Sequence, residues 1–257
     1  MTGNAEPGAA TERLNRFLAR AGVGSRRRAD LLIAAGRVTV NGAPVEKMAT
    51  LVDPGVDTVT VDGRAVAPPV SGDQWIVLHK VAGTLTARRD SRGRPTIFGD
   101  LPERYQGLIP VGRLDWDTVG VILLTSDGYA ANRLMHPRYQ IERIYEAHVT
   151  GQPSREALRH LKIGIDLGDP TPARAEARVT GKHRAGAVMR LTRREGRKRE
   201  IKRMLSAIGH PVLRLVRVSF AGITARGLKP GTWRALTKAE IARLTSLPDS
   251  RTPAKPS

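Results

Sequence analysis

The sequence predicts an α+β fold, in which a small N-terminal module precedes a larger domain with a mixed, mostly antiparallel sheet flanked by helices. In the first module, two short helical patterns precede an Asn-Gly turn between apolar segments, which is a strong signal for a β-hairpin. In the rest of the chain, strands are interrupted by helices without the regular βαβ repeat of a parallel sheet. The length of 257 residues is enough for two domains that each bury a core.

The N-terminal module is predicted to begin with a helix that runs from Thr11 to Gly22. Its apolar residues recur at spacings of three and four and form one stripe: Leu14, Phe17, Leu18 and Ala21. Ser25 is a typical N-cap for a second helix, which ends at Gly36. Strands are expected on both sides of the Asn-Gly turn and around a second turn at Asp62-Gly63.

In the larger domain, β-branched and apolar segments predict strands at 75–78, 119–125, 141–149, 187–192 and 212–220. Helices are predicted after Asp127, after Ser154, over residues 199–208 and after Thr237. Thr237 and Glu240 have the spacing of a capping box, which favours a helix start at that position.

Composition divides the chain into five segments. Residues 1–10 and 248–257 are rich in small, polar and proline residues, so we expect both ends to be disordered. Residues 11–66 form the N-terminal module, and residues 74–247 form the larger domain. The prolines within 67–73 predict a stiffened linker between them.

The charge of the chain predicts a polyanionic partner. Its 43 Lys and Arg residues against 24 Asp and Glu residues leave a formal net charge of +19, and every phosphate that a cation neutralises releases counterions. A membrane surface is the alternative, but the sequence has no apolar segment of about 20 residues and no basic amphipathic helix with an aromatic face. The N-terminus also lacks a signal-peptide pattern. We therefore expect a cytoplasmic protein that binds nucleic acid and no membrane.

No cofactor or metal is expected. Cysteine is absent, which excludes disulfides and thiolate metal sites, and no two of the six histidines have ligand spacing on one helical face. The phosphate-loop pattern and the Gly-x-Gly-x-x-Gly fingerprint are both missing.

Arginines are concentrated in the N-terminal module. Three of them follow Ser25 at a predicted helix N-terminus, where the helix dipole favours anions. A solvated arginine face on a helical module is the alternative interpretation. The residues that we expect to contact RNA phosphates are Arg26, Arg27, Arg28 and Arg37.

The order of two helices followed by an Asn-Gly hairpin favours phosphate binding by these arginines over a solvated arginine face. Residues 13–30, followed by 36–42, resemble the S4 RNA-binding domain, and the resemblance extends over residues 12–66. It implies the αL-like fold of that domain and binding to structured RNA.

The most informative stretch of the larger domain is 112–128, in which Arg113 and Asp115 lie on a tight turn before a buried strand. A lone aspartate at such a place often only closes the turn. This run, however, resembles the catalytic motif of the RsuA/RluB family of RNA pseudouridine synthases. The resemblance implies that Asp115 is the catalytic carboxylate, with Arg113 and Leu114 as supporting residues.

Two further stretches resemble motifs of the same family. Tyr145 on its own would be a core or cross-strand tyrosine, but residues 143–149 resemble a family motif whose tyrosine packs on the flipped base and is a candidate for taking the C5 proton. Residues 195–205 would otherwise be a basic helix with a solvated face. Their resemblance implies that Lys202 pairs with the catalytic aspartate, and we expect Arg199 to support the site.

Three other cations are predicted to contact RNA. Lys80 lies in a Lys-Val-Ala-Gly stretch that departs mildly from the family's Lys-Pro-x-Gly. Arg197 and Arg203 flank Lys202 on the basic helix.

The resemblance implies an enzyme that isomerises one uridine of ribosomal RNA, and residues 132–137 favour the large-subunit branch. Asp115 could act as a nucleophile, stabilise an oxocarbenium-like centre or remove a ribose proton. We expect a monomer whose substrate is a structured RNA stem-loop or an assembly intermediate. The alternative function is a non-catalytic RNA-binding or ribosome-assembly factor with the same fold.

Overall fold

A computed structural model describes residues 11–45, 47–67 and 74–246. The predicted disordered ends and almost all of the predicted linker lie outside the described residues. The chain divides into two compact units, of which the first combines the described residues up to 74 with residues 100–108. The second combines residues 75–99 with the chain from residue 109 onward.

The first unit contains two helices, α1 (Leu14–Arg20) and α2 (Arg26–Ala34). Its strands are β1 (Glu12–Arg13), β2 (Val38–Val40), β3 (Ala43–Pro44), β4 (Leu51–Val52), β5 (Val59–Val61) and β6 (Arg64–Ala65). A four-stranded sheet has the order β3-β2-β5-β6, and β1 pairs with β4. A 3-10 helix, Glu103–Tyr105, also lies in this unit.

Local signals position most of this unit. The side chain of Ser25 accepts a hydrogen bond from the main-chain N–H of Arg28, which confirms it as the N-cap of α2. Asn41 and Gly42 both have positive φ, as the tight hairpin turn requires. The expected helix start at Thr11 is wrong, since residues 12 and 13 pair with β4 before α1 begins at Leu14. The predicted stripe residues Leu14, Phe17 and Leu18 are buried.

The second unit is built on one nine-stranded sheet. Its strands are β7 (Trp75–Lys80), β8 (Ile109–Pro110), β9 (Val119–Thr125), β10 (Arg143–Thr150), β11 (Glu176–His183), β12 (Gly186–Arg193), β13 (Val212–Phe220), β14 (Ile223–Thr224) and β15 (Trp233–Ala235). The main path has the order β11-β12-β10-β13-β9-β7-β15, with β14 on β13 and β8 on β9. Only the β13–β9 pair is parallel among the described strands. The predicted α+β fold with a mostly antiparallel sheet is confirmed.

The helices of this unit are α3 (Gly128–Met135), α4 (Arg155–Ile163), α5 (Glu200–Ala207) and α6 (Lys238–Thr245), with a 3-10 helix at Pro137–Tyr139. One core lies where β7 and β9 meet α3 and α6, and includes Val77, Leu123 and Leu134. A second core lies where β10 and β12 meet α4 and α5, and includes Ala147 and Met204. No helix among the described residues is long and apolar enough to cross a membrane.

Candidate active site

A cleft of about 860 Å³ lies within the second unit. It is bounded by the turn before β9, by β10 and β13 in the middle of the sheet, and by the segment that leads into α5. Six of the residues singled out in the sequence line it: Arg113, Leu114, Asp115, Tyr145, Arg197 and Arg199. The fold therefore brings three stretches that are far apart in the chain to one place.

Asp115 lies on a short turn that enters β9. The main-chain N–H of Thr118 donates to the carbonyl of Asp115 at 3.1 Å and closes the turn. Leu114 is buried, and both its main-chain N–H and its carbonyl bond to the hydroxyl of Thr86, at 3.2 and 3.1 Å. The backbone on both sides of Asp115 is thus fixed, while its half-buried side chain lies in the cleft.

Lys80 holds the same turn from within the sheet. Its ammonium donates to the carbonyls of Val81 at 3.0 Å, Trp116 at 3.3 Å and Thr118 at 2.9 Å. The residue is 1% exposed, so the expectation that Lys80 contacts RNA is wrong. Burial lowers the pKa of Lys80 to about 8, and the negative charges of Asp117 and Asp115 partly oppose this shift.

Tyr145 lies on β10, between Leu191 of β12 and Arg217 of β13. It is half-buried and lines the cleft, on the same face of the strand as Arg143. Arg143 is 7% exposed and donates to three main-chain carbonyls, and burial lowers its pKa. Buried positive charge therefore adjoins the tyrosine.

Arg217 is one of several cleft residues that the sequence analysis did not identify. It is 2% exposed, its Nε donates to the carbonyl of Val121 at 2.7 Å, and its guanidinium carbon lies 5.0 Å from the centre of the Phe220 ring. The sequence offered one signal for Arg217, namely a charged residue within the otherwise largely apolar strand β13. An arginine among buried strand residues must find polar partners.

Lys202 forms an ion pair with Asp117, two residues beyond Asp115. The expected pairing of Lys202 with Asp115 is wrong. The Asp-x-Asp sequence offers two carboxylates on one turn, and the first turn of α5 brings the ammonium to the second. The hydrogen bond from Lys202 holds the pKa of Asp117 below its usual value, and the nearby charge of Arg199 adds to the effect.

The remaining cations of the basic helix differ in their surroundings. Arg199 is exposed, lines the cleft and precedes α5 in a left-handed conformation with φ of 52°. Arg197 and Arg203 both contact the carboxylate of Asp169, at 3.5 and 3.0 Å. Arg197 also donates to the carbonyl of Thr171 at 2.5 Å. Both guanidiniums thus have partners within the protein, and their contact with RNA stays a prediction.

In the first unit, Arg26, Arg27 and Arg28 are exposed on the first turn of α2. Arg37 forms an ion pair with Asp62 and thereby lowers the pKa of that carboxyl group. In the part of the chain that the structure describes, no group of His, Asp and Glu side chains could hold a metal ion.

Comparison with known proteins gives consistent matches to this chain. The family model described as RNA pseudouridylate synthase matches residues 74–207, and that of the S4 domain matches residues 12–57. Ribosomal large subunit pseudouridine synthase B of Bacillus subtilis (strain 168) is 42% identical over 245 residues, which are 93% of this chain and 97% of that protein. The protein of the same name from Salmonella typhimurium (strain LT2) is 40% identical over 247 residues, 92% of this chain and 83% of that one. A crystal structure of a pseudouridylate synthase matches with a TM-score of 0.63 at 28% identity, over 90% of this chain and 99% of the other.

Proposed function

The chain belongs to the RNA pseudouridylate synthase family, and from that premise we propose that its substrate is one uridine of large-subunit ribosomal RNA. The names of the Bacillus and Salmonella relatives support the choice of RNA. The observation that carries the catalytic assignment is that Asp115 and Tyr145 line one cleft together with several cations. The sequence Asn-Arg-Leu-Met-His-Pro at residues 132–137 also favours the branch of the family that acts on large-subunit ribosomal RNA.

In this proposal Asp115 is the catalytic carboxylate. Pseudouridine formation breaks the N1–C1′ bond of uridine, turns the uracil and joins C5 to C1′, while the proton on C5 is lost and N1 gains one. Attack on C1′, stabilisation of a cationic sugar and removal of a ribose proton all require an ionised carboxylate beside the ribose. Lys80, Lys202 and Arg199 place positive charge around the turn that carries Asp115, where it can offset negative charge that develops during the reaction.

Tyr145 has the second chemical role in this proposal. Its ring offers a flat apolar face for the uracil, and its hydroxyl is a candidate relay that gives its own proton to N1 and takes the proton from C5, so that no net proton is gained or lost. The neighbouring guanidiniums of Arg143 and Arg217 would stabilise negative charge that develops on the uracil oxygens. Uridine must leave its stack to reach this cleft, since C1′ and C5 are inaccessible inside a helix.

Lys202 is a positioning residue in this proposal, because its ammonium holds Asp117. Arg113, Leu114 and Arg199 support the site from the cleft wall.

We place the S4 domain at residues 11–66 and the catalytic domain at 74–247, joined by 67–73. The exposed arginines of α2 would hold RNA phosphates, with Arg37 beside them, and would select a folded stem-loop by its shape. We propose that the enzyme acts as a monomer, in which one copy of the chain supplies Asp115, Tyr145 and the surrounding cations. With ribosomal RNA as substrate, the enzyme would work in the cytoplasm.

Chemical mapping of pseudouridine in ribosomal RNA tests the proposal. We expect a strain without this protein to lack one pseudouridine of large-subunit RNA, and we expect the wild-type gene to restore it. A gene with Asp115→Asn should not restore it. An unchanged modification map in the deletion strain would contradict the enzymatic function and favour the non-catalytic RNA-binding alternative.

A further inference from the structure

Trp116 is the most exposed aromatic ring that lines the cleft. The residue is 42% exposed, whereas Phe98 and Phe220, which also line the cleft, are 2% and 1% exposed. Tyr145 is half-buried. Because burial of a large apolar ring lowers its free energy, an exposed indole that lines a cleft is available for a ligand to cover.

The backbone of Trp116 is held firmly. Its carbonyl accepts hydrogen bonds from the main-chain N–H of Gly83 at 2.9 Å and from the ammonium of Lys80 at 3.3 Å. The indole edge passes beside Gly83, where an added Cβ would lie 3.9 Å from Cζ2 of Trp116. Gly83 has φ of +76°, so the chain needs glycine there whether or not the indole is present. A ring on such a support loses little conformational freedom when a ligand stacks on it.

We propose that Trp116 is a stacking site for a nucleobase that neighbours the target uridine, an inference that rests on the proposed function. Extraction of a uridine leaves its neighbours with an uncovered face, and an aromatic side chain can replace the lost contact. The target uracil itself must reach Asp115 and Tyr145, which are less exposed than Trp116. The ring that remains open to water is therefore available to a base that stays outside.

The surroundings of Trp116 favour a nucleic acid as the occupant over an apolar peptide. Arg113 and Arg199 are exposed and line the same cleft. An indole that shares a cleft with guanidiniums matches an RNA strand, in which apolar base faces alternate with phosphates. A peptide would leave these charges without partners.

Fluorescence and binding measurements with an unmodified stem-loop transcript that contains the mapped uridine test this site. The parent protein carries Asp115→Asn, so that the RNA is bound but not converted. We expect the RNA to change the tryptophan fluorescence of the parent and to change it far less after a further Trp116→Phe. The other two tryptophans should contribute little to the change, because Trp75 is 2% exposed and Trp233 does not line the cleft.

Trp116→Ala should weaken binding of this transcript by roughly 5- to 150-fold, the range expected for loss of one stacked base. Trp116→Phe should keep most of the affinity, because a phenyl ring still stacks. Tyr129→Ala is the matched control, since Tyr129 is 71% exposed on α3 but does not line the cleft, and this variant should bind like the parent.

The inference is overturned if Trp116→Ala binds the transcript as tightly as the parent and the fluorescence change persists in Trp116→Phe. Failure of the proposed function gives a different result, because the protein with Asp115 intact would then produce no pseudouridine in any ribosomal RNA.

Discussion

Lys202 and Asp117 form an ion pair that connects the first turn of α5 to the turn that carries Asp115. The side chain of Lys202 is 14% exposed and that of Asp117 is 59% exposed, so water screens the pair from one side. Its main effect is therefore geometric. The pair fixes the distance between the basic helix and the turn that carries Asp115, and it places a cation near Asp115 without a direct contact.

Asp115→Asn should abolish turnover while RNA affinity stays close to that of the wild type. The amide has the size of the carboxylate but carries no charge, and each route proposed for Asp115 needs the ionised form. Release of tritium from RNA labelled at C5 of uridine measures turnover, and a filter-binding titration measures affinity. Asp117→Asn is the matched control and should slow turnover without abolishing it. Near-wild-type turnover in Asp115→Asn would move the catalytic role to another group.

Lys202→Ala and Asp117→Asn should each slow single-turnover conversion, and the double variant should be no slower than the worse single one. Both changes remove the same ion pair, so their effects on the free energy of activation are not additive. Additive effects would show that Lys202 acts on Asp115 independently of Asp117.

The ion pair also makes the stability of the fold depend on pH, because Lys202 lowers the pKa of Asp117. The pair contributes its stability above the ordinary pKa of aspartate, and this contribution is lost as the pH falls through the lowered pKa of Asp117.

Sequence patterns predicted those parts of the fold that local chemistry determines. Asp127, Ser154 and Thr237 each cap the helix expected after them, and Thr237 forms the expected capping box with Glu240. β13 has the predicted bounds. β11 was missed because it lies at the edge of the sheet, where most of its residues are half-buried or exposed and leave no apolar pattern.

The site was only partly predictable, because its contacts join distant parts of the chain. A motif can place Asp115 and Tyr145 by analogy, but it does not reveal which carboxylate Lys202 reaches. The burial of Lys80 depends on carbonyls near residue 117, which only the folded sheet brings to it. Long-range contacts of this kind leave no periodic trace in the sequence.

Arg26→Ala combined with Arg27→Ala should weaken RNA binding and flatten its salt dependence. Each phosphate contact that is lost should reduce the slope of log K against log salt by about 0.7–0.9. The rate of conversion of bound RNA should stay unchanged, because these exposed arginines lie on α2 and do not line the cleft. Arg155→Ala with Arg159→Ala, on exposed positions of α4, is the control. Loss of single-turnover chemistry with intact binding would contradict this division of roles.

Gly120→Ala should destabilise the protein by about 2–3 kcal/mol, as overpacking and a strained backbone act together. Gly120 has φ of +106°, and a Cβ there would lie 2.2 Å from the carbonyl oxygen of Arg217 on the adjacent strand. Gly93→Ala is the matched control, because φ is +69° and no atom lies within 4 Å of the added Cβ. Thermal unfolding of both variants should give the larger decrease in Tm for Gly120→Ala. Equal decreases in Tm would show that the positive φ alone, without the close contact at Gly120, causes the destabilisation.

Loss of the Lys80 proton should have opposite effects on the reaction rate and on the stability of the fold. Its pKa of about 8 means that the buried ammonium loses a proton above that pH, and a neutral amine donates fewer hydrogen bonds to the carbonyls of Trp116 and Thr118. We expect single-turnover rates to fall above pH 8 as the turn at Asp115 loosens.

The free energy of unfolding should instead rise over the pH range in which the rate falls. In the unfolded chain Lys80 keeps its proton up to its ordinary pKa of 10.5. Between about pH 8 and 10.5 the unfolded state therefore binds more protons than the folded state, so this group makes the free energy of unfolding rise with pH. Lys80→Met should react more slowly, show no decline in rate centred near pH 8, and lose the rise in stability. Urea unfolding and single-turnover assays across this pH range measure both effects. A wild-type rate that stays constant through pH 9 would show that the Lys80 proton does not hold the catalytic turn.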